Sequence, residues 1–325
     1  MAGKGFEVRR LGGVIWALVA LSPLAHAAGE AVVTQMQGEV MILALPQAEP
    51  HASVPEGQSR AKFEGQHYLS RGAKVGERIE LPGCVRTLPN ARVRLVYPNG
   101  DQINVGPGTF FRLEDTRSMK MDYGLVRAII SKAGPRSQLK VRTASAVMGV
   151  RGTDFVVESV GATNQTALTL LRGSVSLKPE GVEVAREVKT GETAVAEVAK
   201  PPETYKTSQI ELKRALVMTE KTEKAPASEP VPEGVKQLEA QAKATTIQDI
   251  VGYAKTPEEK ERLQKAAEKA VDAAALNAAV VRMQVAKAPV ESPRAELVRE
   301  EMKRVAPESV KPAEKNAFDK YFDGI

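Results

Sequence analysis

Aromatic residues are scarce in this chain, at 4% of 325, with a single tryptophan, and a large uniform core running through the whole length is therefore not expected. Only one cysteine is present, Cys84, so an internal disulfide and a thiolate metal cluster are both excluded. The three histidines, His26, His51 and His67, have no ligand-like spacing to one another or to Cys84. There is no HExxH, no CxxC, no Walker loop and no G-x-S-x-G setting. The candidates left for acid–base chemistry are Asp101, Glu114, Asp115, Asp122 and Asp154, near turns where carboxylates are usually solvated. No cofactor or metal site follows from such a pattern, and the chain reads as non-enzymatic. The net charge of +6 is mild for this length and lacks the dense basic face that phosphate backbones require, so nucleic acid is not an expected partner.

Long apolar runs are also missing, with one exception at the start. Lys4, Arg9 and Arg10 precede an apolar stretch over 11–25, which Pro23 breaks and Ala25-His26-Ala27 follows. A basic leader, a short apolar run and small residues before a cleavage point form a secretory layout, and the run is shorter than the ~20 residues of a spanning helix. Residues 1–27 are thus expected to be a cleavable signal peptide. The mature chain, without a transmembrane span, would be placed in the periplasm. The alternatives are full secretion or an uncleaved N-terminal anchor.

From residue 28 to about 200 the apolar period is two. Val93, Leu95 and Tyr97 alternate with Arg92 and Arg94, which reads as a half-buried strand. Pro98-Asn99-Gly100-Asp101 then precedes Ile103 and Val105, and Asn-Gly between alternating runs predicts a hairpin. Further runs follow at Leu139, Val141 and Thr143, at Leu168 and Leu170, and at Val175 and Leu177. Gly-x-Val recurs at Gly38, Gly124 and Gly173 without a fixed period, which suggests one strand-entry geometry used several times. Residues 44–66 interrupt the pattern and read as a loop or insertion.

After Pro201-Pro202 the composition changes. Residues 201–255, rich in Pro, Glu, Lys and Ala, read as a disordered linker with room for a short helix around 208–221. Thr256-Pro257-Glu258-Glu259 opens an α-helix predicted over 256–287, with an alanine-rich stripe that pairs with another helix or stays solvated. Residues 288–325 read as a flexible tail in which Phe318, Tyr321 and Phe322 share one face of a short helix, either docked on the β part or offered to a partner.

The segment Gly149-Val150-Arg151-Gly152-Thr153-Asp154-Phe155 resembles the signature of the FecR family. Other landmarks fall in the family's order: Leu69 to Val75, Asn99-Gly100-Asp101, Val105-Gly106-Pro107, Gly173-Ser174-Val175 and Thr190-Gly191-Glu192. The resemblance implies a mainly β, periplasmic domain with a solenoid-like or rolled two-sheet form. In the family, the best-known members sense loading of an outer-membrane iron transporter and signal to a cytoplasmic sigma factor through a membrane helix. Here only about ten residues precede the apolar run, so the resemblance carries over fold and compartment. On the residues themselves, the signature reads as a turn that registers strands, with Asp154 an available partner for Arg151. The expected function is an exported FecR-domain binding module of the cell envelope, whose partner would be an envelope protein or glycan. An accessory of transporter-coupled, iron-type signalling is the alternative, and an envelope glycan-processing enzyme a lower one.

Overall fold

The computed structural model describes residues 30–44, 46–63, 65–132, 138–161, 163–218 and 230–305. Residues 1–27, read above as a signal peptide, and Phe318, Tyr321 and Phe322 lie outside them. The described residues are mainly β, with 40% in strands and 25% in helices.

The strands are β1 Ala31–Gln37, β2 Val40–Leu43, β3 Ser59–Phe63, β4 Gln66–Gly72, β5 Arg78–Ile79 and β6 Gly83–Thr87. They continue with β7 Arg92–Val96, β8 Gln102–Val105, β9 Phe110–Asp115, β10 Ser118–Ile129, β11 Leu139–Arg142 and β12 Ala146–Val150. The last six are β13 Asp154–Val160, β14 Gln165–Arg172, β15 Ser174–Pro179, β16 Arg186–Lys189, β17 Glu192–Glu197 and β18 Glu203–Lys206. Pairings arrange them in two open sheets that share β10. The first runs β5–β1–β7–β8–β10–β13–β14–β17–β18. The second runs β3–β4–β2–β6–β9–β10–β11–β12–β15–β16, with only β10–β11 parallel.

The alternating side chains of the two sheets meet in one core, which includes Val93, Leu95, Ile103, Phe111, Met121, Met148, Phe155, Leu170 and Leu177. The chain crosses between sheets at each Gly-x-Val. Gly38 joins β1 to β2, Gly173 joins β14 to β15, and Gly124 bends β10 from the second sheet into the first, all three with positive φ. A side chain at Gly124 would run into Thr109. The Asn-Gly hairpin forms as read: Tyr97 N–H donates to Asp101 O at 2.9 Å, with Gly100 at φ +85°.

Four expectations need correction. The 44–66 segment is not all loop, because Ser59–Phe63 pairs in register with β4. The 201–255 segment is not a disordered linker where it is described. It holds β18 and two helices, α1 Gln209–Val217 and α2 Glu233–Tyr253, because their apolar residues find a surface on the first sheet. The helix over 256–287 is two helices, α3 Pro257–Lys269 and α4 Ala273–Val285. The break is set by Asp272, whose Oδ1 accepts from Ala275 N–H at 2.9 Å and caps a new helix. A fifth helix, α5 Ala295–Val305, lies within the stretch read as a flexible tail.

The helices form a layer on the outer face of the first sheet. Leu212, Leu216, Val281 and Val285 pack with Leu125, Val156 and Leu171, while Val235, Leu238 and Ala242 pack with Val32 and Val96. The alanine stripe of α4 is therefore buried, and small side chains let α4 sit close between its neighbours.

Candidate functional site: a buried ionic seam

Arg94 leaves β7 on the side facing the helices. The sequence places it on the solvent face of a half-buried strand. Instead it is 3% exposed, because α2 covers it. Its Nε donates to Glu239 Oε1 of α2 at 2.7 Å, and its two terminal nitrogens donate to Asn104 and Gln102 of β8 at 2.9 and 2.8 Å. Glu239 also accepts from Thr34 Oγ1 of β1 at 2.6 Å. Gln102 in turn donates to Thr246 Oγ1 of α2 at 2.9 Å and accepts from Asn277 Nδ2 of α4 at 2.8 Å. One guanidinium thus ties three strands and, through Gln102, two helices into one network.

The FecR-like signature passes from β12 of the second sheet into β13 of the first, a few strands along from Arg94, where Asp154 lies on the helix-covered face. Gly149 and Val150 end β12, Arg151 is exposed, and Gly152 and Thr153 are buried in the turn into β13, where Asp154 and Phe155 follow. Asp154 does not partner Arg151. Its two oxygens accept from Arg127 of β10 at 2.8 and 2.6 Å, with both side chains at 2% exposure or less. Arg127 reaches it because β10 and β13 are adjacent strands, with Ile129 opposite Asp154, whereas Arg151 leaves the turn on the outside. Phe155 points into the core. Gly152 needs its glycine: φ is +61°, and a Cβ would lie 2.9 Å from Lys132 Cβ. Its carbonyl accepts from Tyr253 Oη at the end of α2, at 2.8 Å. The Tyr253 ring lies beneath Lys132 Nζ and the Arg172 guanidinium, at 5.5 and 5.7 Å from its centroid. Arg172 approaches Asp249 of α2 only to 4.0 Å. Burial pushes the Asp249 carboxyl above its ordinary range in spite of that neighbour.

A third node closes the far end. Glu158 of β13 accepts from Arg214 of α1 and from Arg294 before α5, the latter at 2.7 Å. Burial opposes the charge on Glu158, but the two guanidiniums outweigh it and hold the carboxyl down at about 2. Arg214 also meets Glu301 of α5 at 2.8 Å.

The carboxylates considered for catalysis are each engaged elsewhere. Asp101 accepts from Ser131 N–H and Oγ at 2.7 and 2.8 Å, Asp122 from Arg112 at 2.9 Å, and Glu114 from Ser118 Oγ at 2.6 Å. Asp115 accepts from Arg117 N–H at 2.6 Å, and Asp154 is held by Arg127. Among the described residues there is no group of three or more potential metal ligands.

The sequence reading missed Arg94, Arg127, Arg172 and Arg214, together with Glu239 and Asp249. One signal was available. Polar residues fall on one face of consecutive strands, as in Arg94, Gln102, Asn104, Arg127, Asp154 and Glu158, and an alanine-rich helical stretch follows them.

No curated protein is matched by the chain. Two solved structures of a proposed anti-sigma factor from Parabacteroides distasonis ATCC 8503, at 2.50 and 1.65 Å, are similar at 18% identity and a TM-score of 0.33. The similarity covers 38% of this chain and 58% of theirs, less than two thirds of their length. Residues 84–176, which run from β6 into β15 and include the Gly152 turn and the Arg127–Asp154 pair, match the family model described as FecR protein: the chain carries a FecR domain.

Proposed function

We propose that this protein is exported to the periplasm and acts there as a non-enzymatic binding module of the cell envelope, taking an envelope protein or glycan. The FecR match over residues 84–176 carries this reading, since a FecR domain fits a regulatory, signalling role. Three further observations support it. The first 27 residues have the secretory layout. Among the described residues, no helix is long and apolar enough to cross a membrane. The carboxylates near the turns are tied to cations, hydroxyls or backbone rather than set out as an acid–base pair.

The test is fractionation of cells producing the full chain, followed by intact-mass measurement and crosslinking in the envelope. Mature protein that begins at Ala28 in the periplasmic fraction, with a reproducible crosslinked partner, is the expected result. Protein that keeps its leader in the cytosol overturns it. A crosslinked partner that is an outer-membrane transporter would move the reading to transporter-coupled signalling.

A further inference from the structure

The helical layer lies on the first sheet, and every strand residue in the helix-packed clusters belongs to that sheet. On the outer face of the second sheet, one rung of the ladder is basic. Arg112 of β9 stands opposite Lys120 of β10, Lys120 opposite Arg142 of β11, Arg142 opposite Val147 of β12, and Val147 opposite Lys178 of β15. Four cations therefore lie on one line across five strands, about 19 Å long at the usual strand spacing. Like charges directly opposite each other in a sheet are destabilising, and this rung has two such pairs in succession. The compensation is partial. Asp122 serves both Arg112 and Lys120, at 2.9 and 3.3 Å, and Glu114 approaches Arg142 only to 3.9 Å. The Lys120 and Arg142 side chains remain 42% and 45% exposed.

The neighbourhood of the rung narrows the choice of partner. The next rung runs Glu114, Ser118, Lys140, Gly149 and Ser176, with the Gln138 side chain over Gly149, so its members are polar or small and, Glu114 apart, neutral or basic. Val147 is the sole apolar member of the two rungs, whereas protein interfaces centre on packed aromatic and aliphatic anchors with few charges. At one end lies a partly exposed aromatic patch, Phe63 and Tyr123 around Phe110, with Arg86 4.8 Å from the Phe63 centroid. At the other end, Val147 and Lys178 open into a groove of about 500 Å³, where Glu180 and Glu183 end the basic track.

We infer that this rung binds a linear anionic polysaccharide, laid across the strands with its carboxylate groups on Arg112, Lys120, Arg142 and Lys178. The inference rests on the envelope-binding reading and commits it to a polyanionic glycan. It is tested with the full-length mature protein and sodium alginate as the polyuronate probe, with neutral dextran as control. Alginate should be bound, more weakly as salt rises, and dextran should not. The Lys120→Ser/Arg142→Ser variant should lose about tenfold or more in affinity, with no loss of melting temperature because two like-charge contacts are relieved. Lys178→Ser, at the other end, should lose affinity in the same direction. Lys236→Ser/Lys265→Ser makes the same change in net charge on α2 and α3 and should stay within about twofold. No alginate binding, equal losses in the rung and helix variants, or tighter binding of an acidic protein or of duplex DNA would overturn the inference. An exported protein that ignores alginate removes this surface and leaves the envelope reading standing. A cytosolic protein that binds alginate does the reverse.

Discussion

Replacing Glu239 by leucine should loosen the helical layer at its tightest clamp. The carboxylate is 8% exposed and Arg94 is 3% exposed, so its removal leaves a guanidinium buried with only the neutral acceptors Asn104 and Gln102. Breaking a buried pair from one side costs about 3–5 kcal/mol, far above the ~0–1 kcal/mol of a surface pair. For a chain of this size that corresponds to a melting temperature lower by about 10 °C. The Arg94→Leu/Glu239→Leu double variant should recover much of the loss, because an apolar pair of similar volume removes both desolvation costs. What remains is the Thr34 hydroxyl without its acceptor and the buried Asn104 Oδ1 without its donor, about 1 kcal/mol each. Urea unfolding of wild type, both single variants and the double variant gives the coupling, expected at about 2 kcal/mol or more. A Glu239→Leu cost below about 1 kcal/mol, or a double variant as unstable as the sum of the singles, would refute the clamp.

Glu158 gives the seam an acid-sensitive end. Its carboxyl sits at about 2 in the folded chain against an ordinary 4.5, so its stabilisation is complete above 4.5 and is lost as pH falls toward 2. On the order of 3 kcal/mol is at stake, and Glu158→Gln should flatten acid unfolding over that window; an unchanged profile would contradict the assignment. Gly152→Ala should cost about 1–3 kcal/mol in thermal unfolding, while Arg151→Ala, at an exposed position, should stay within about 0.5 kcal/mol. The reverse order would show that the arginine, not the glycine, fixes the turn. Cys84 is fully buried, and burial pushes its thiol up to about 11. Iodoacetamide at pH 8 should therefore label it only after denaturation, and rapid labelling of the native protein would contradict the packing of β6.

The strands were legible because their signals are local, while the two-sheet form came with the FecR resemblance. Alternation marks β7, β8, β14 and β15, Asn99-Gly100 fixes one hairpin, and Gly-x-Val marks strand entries that prove to be crossings between sheets. The covered face was not legible, for a related reason. Period-two alternation separates polar from apolar residues, but it cannot separate polar residues facing water from polar residues facing a polar partner. Arg94 and Arg127 obey the pattern of a solvated face and are nevertheless buried, since Glu239 and Asp154 satisfy them. The same ambiguity disguised residues 233–253 as linker. Their weakly amphipathic sequence has little reason to order alone, and the helix gains its stability from docking on β1, β7 and β8. In the signature, the chemistry of Asp154 was visible but its partner was not. Arg127 lies 27 residues away and becomes a neighbour only through the β10–β13 pairing.

The docked helical layer is tested most directly by native-state amide hydrogen exchange of the full chain. If the ionic seam closes the first sheet, amides of 235–250 in α2 should be protected together with those of β7 and β8, opening within about 1 kcal/mol of one another. Exchange of 235–250 at the rate of a free peptide, beside strands that stay protected, would show that the helices do not dock on the sheet.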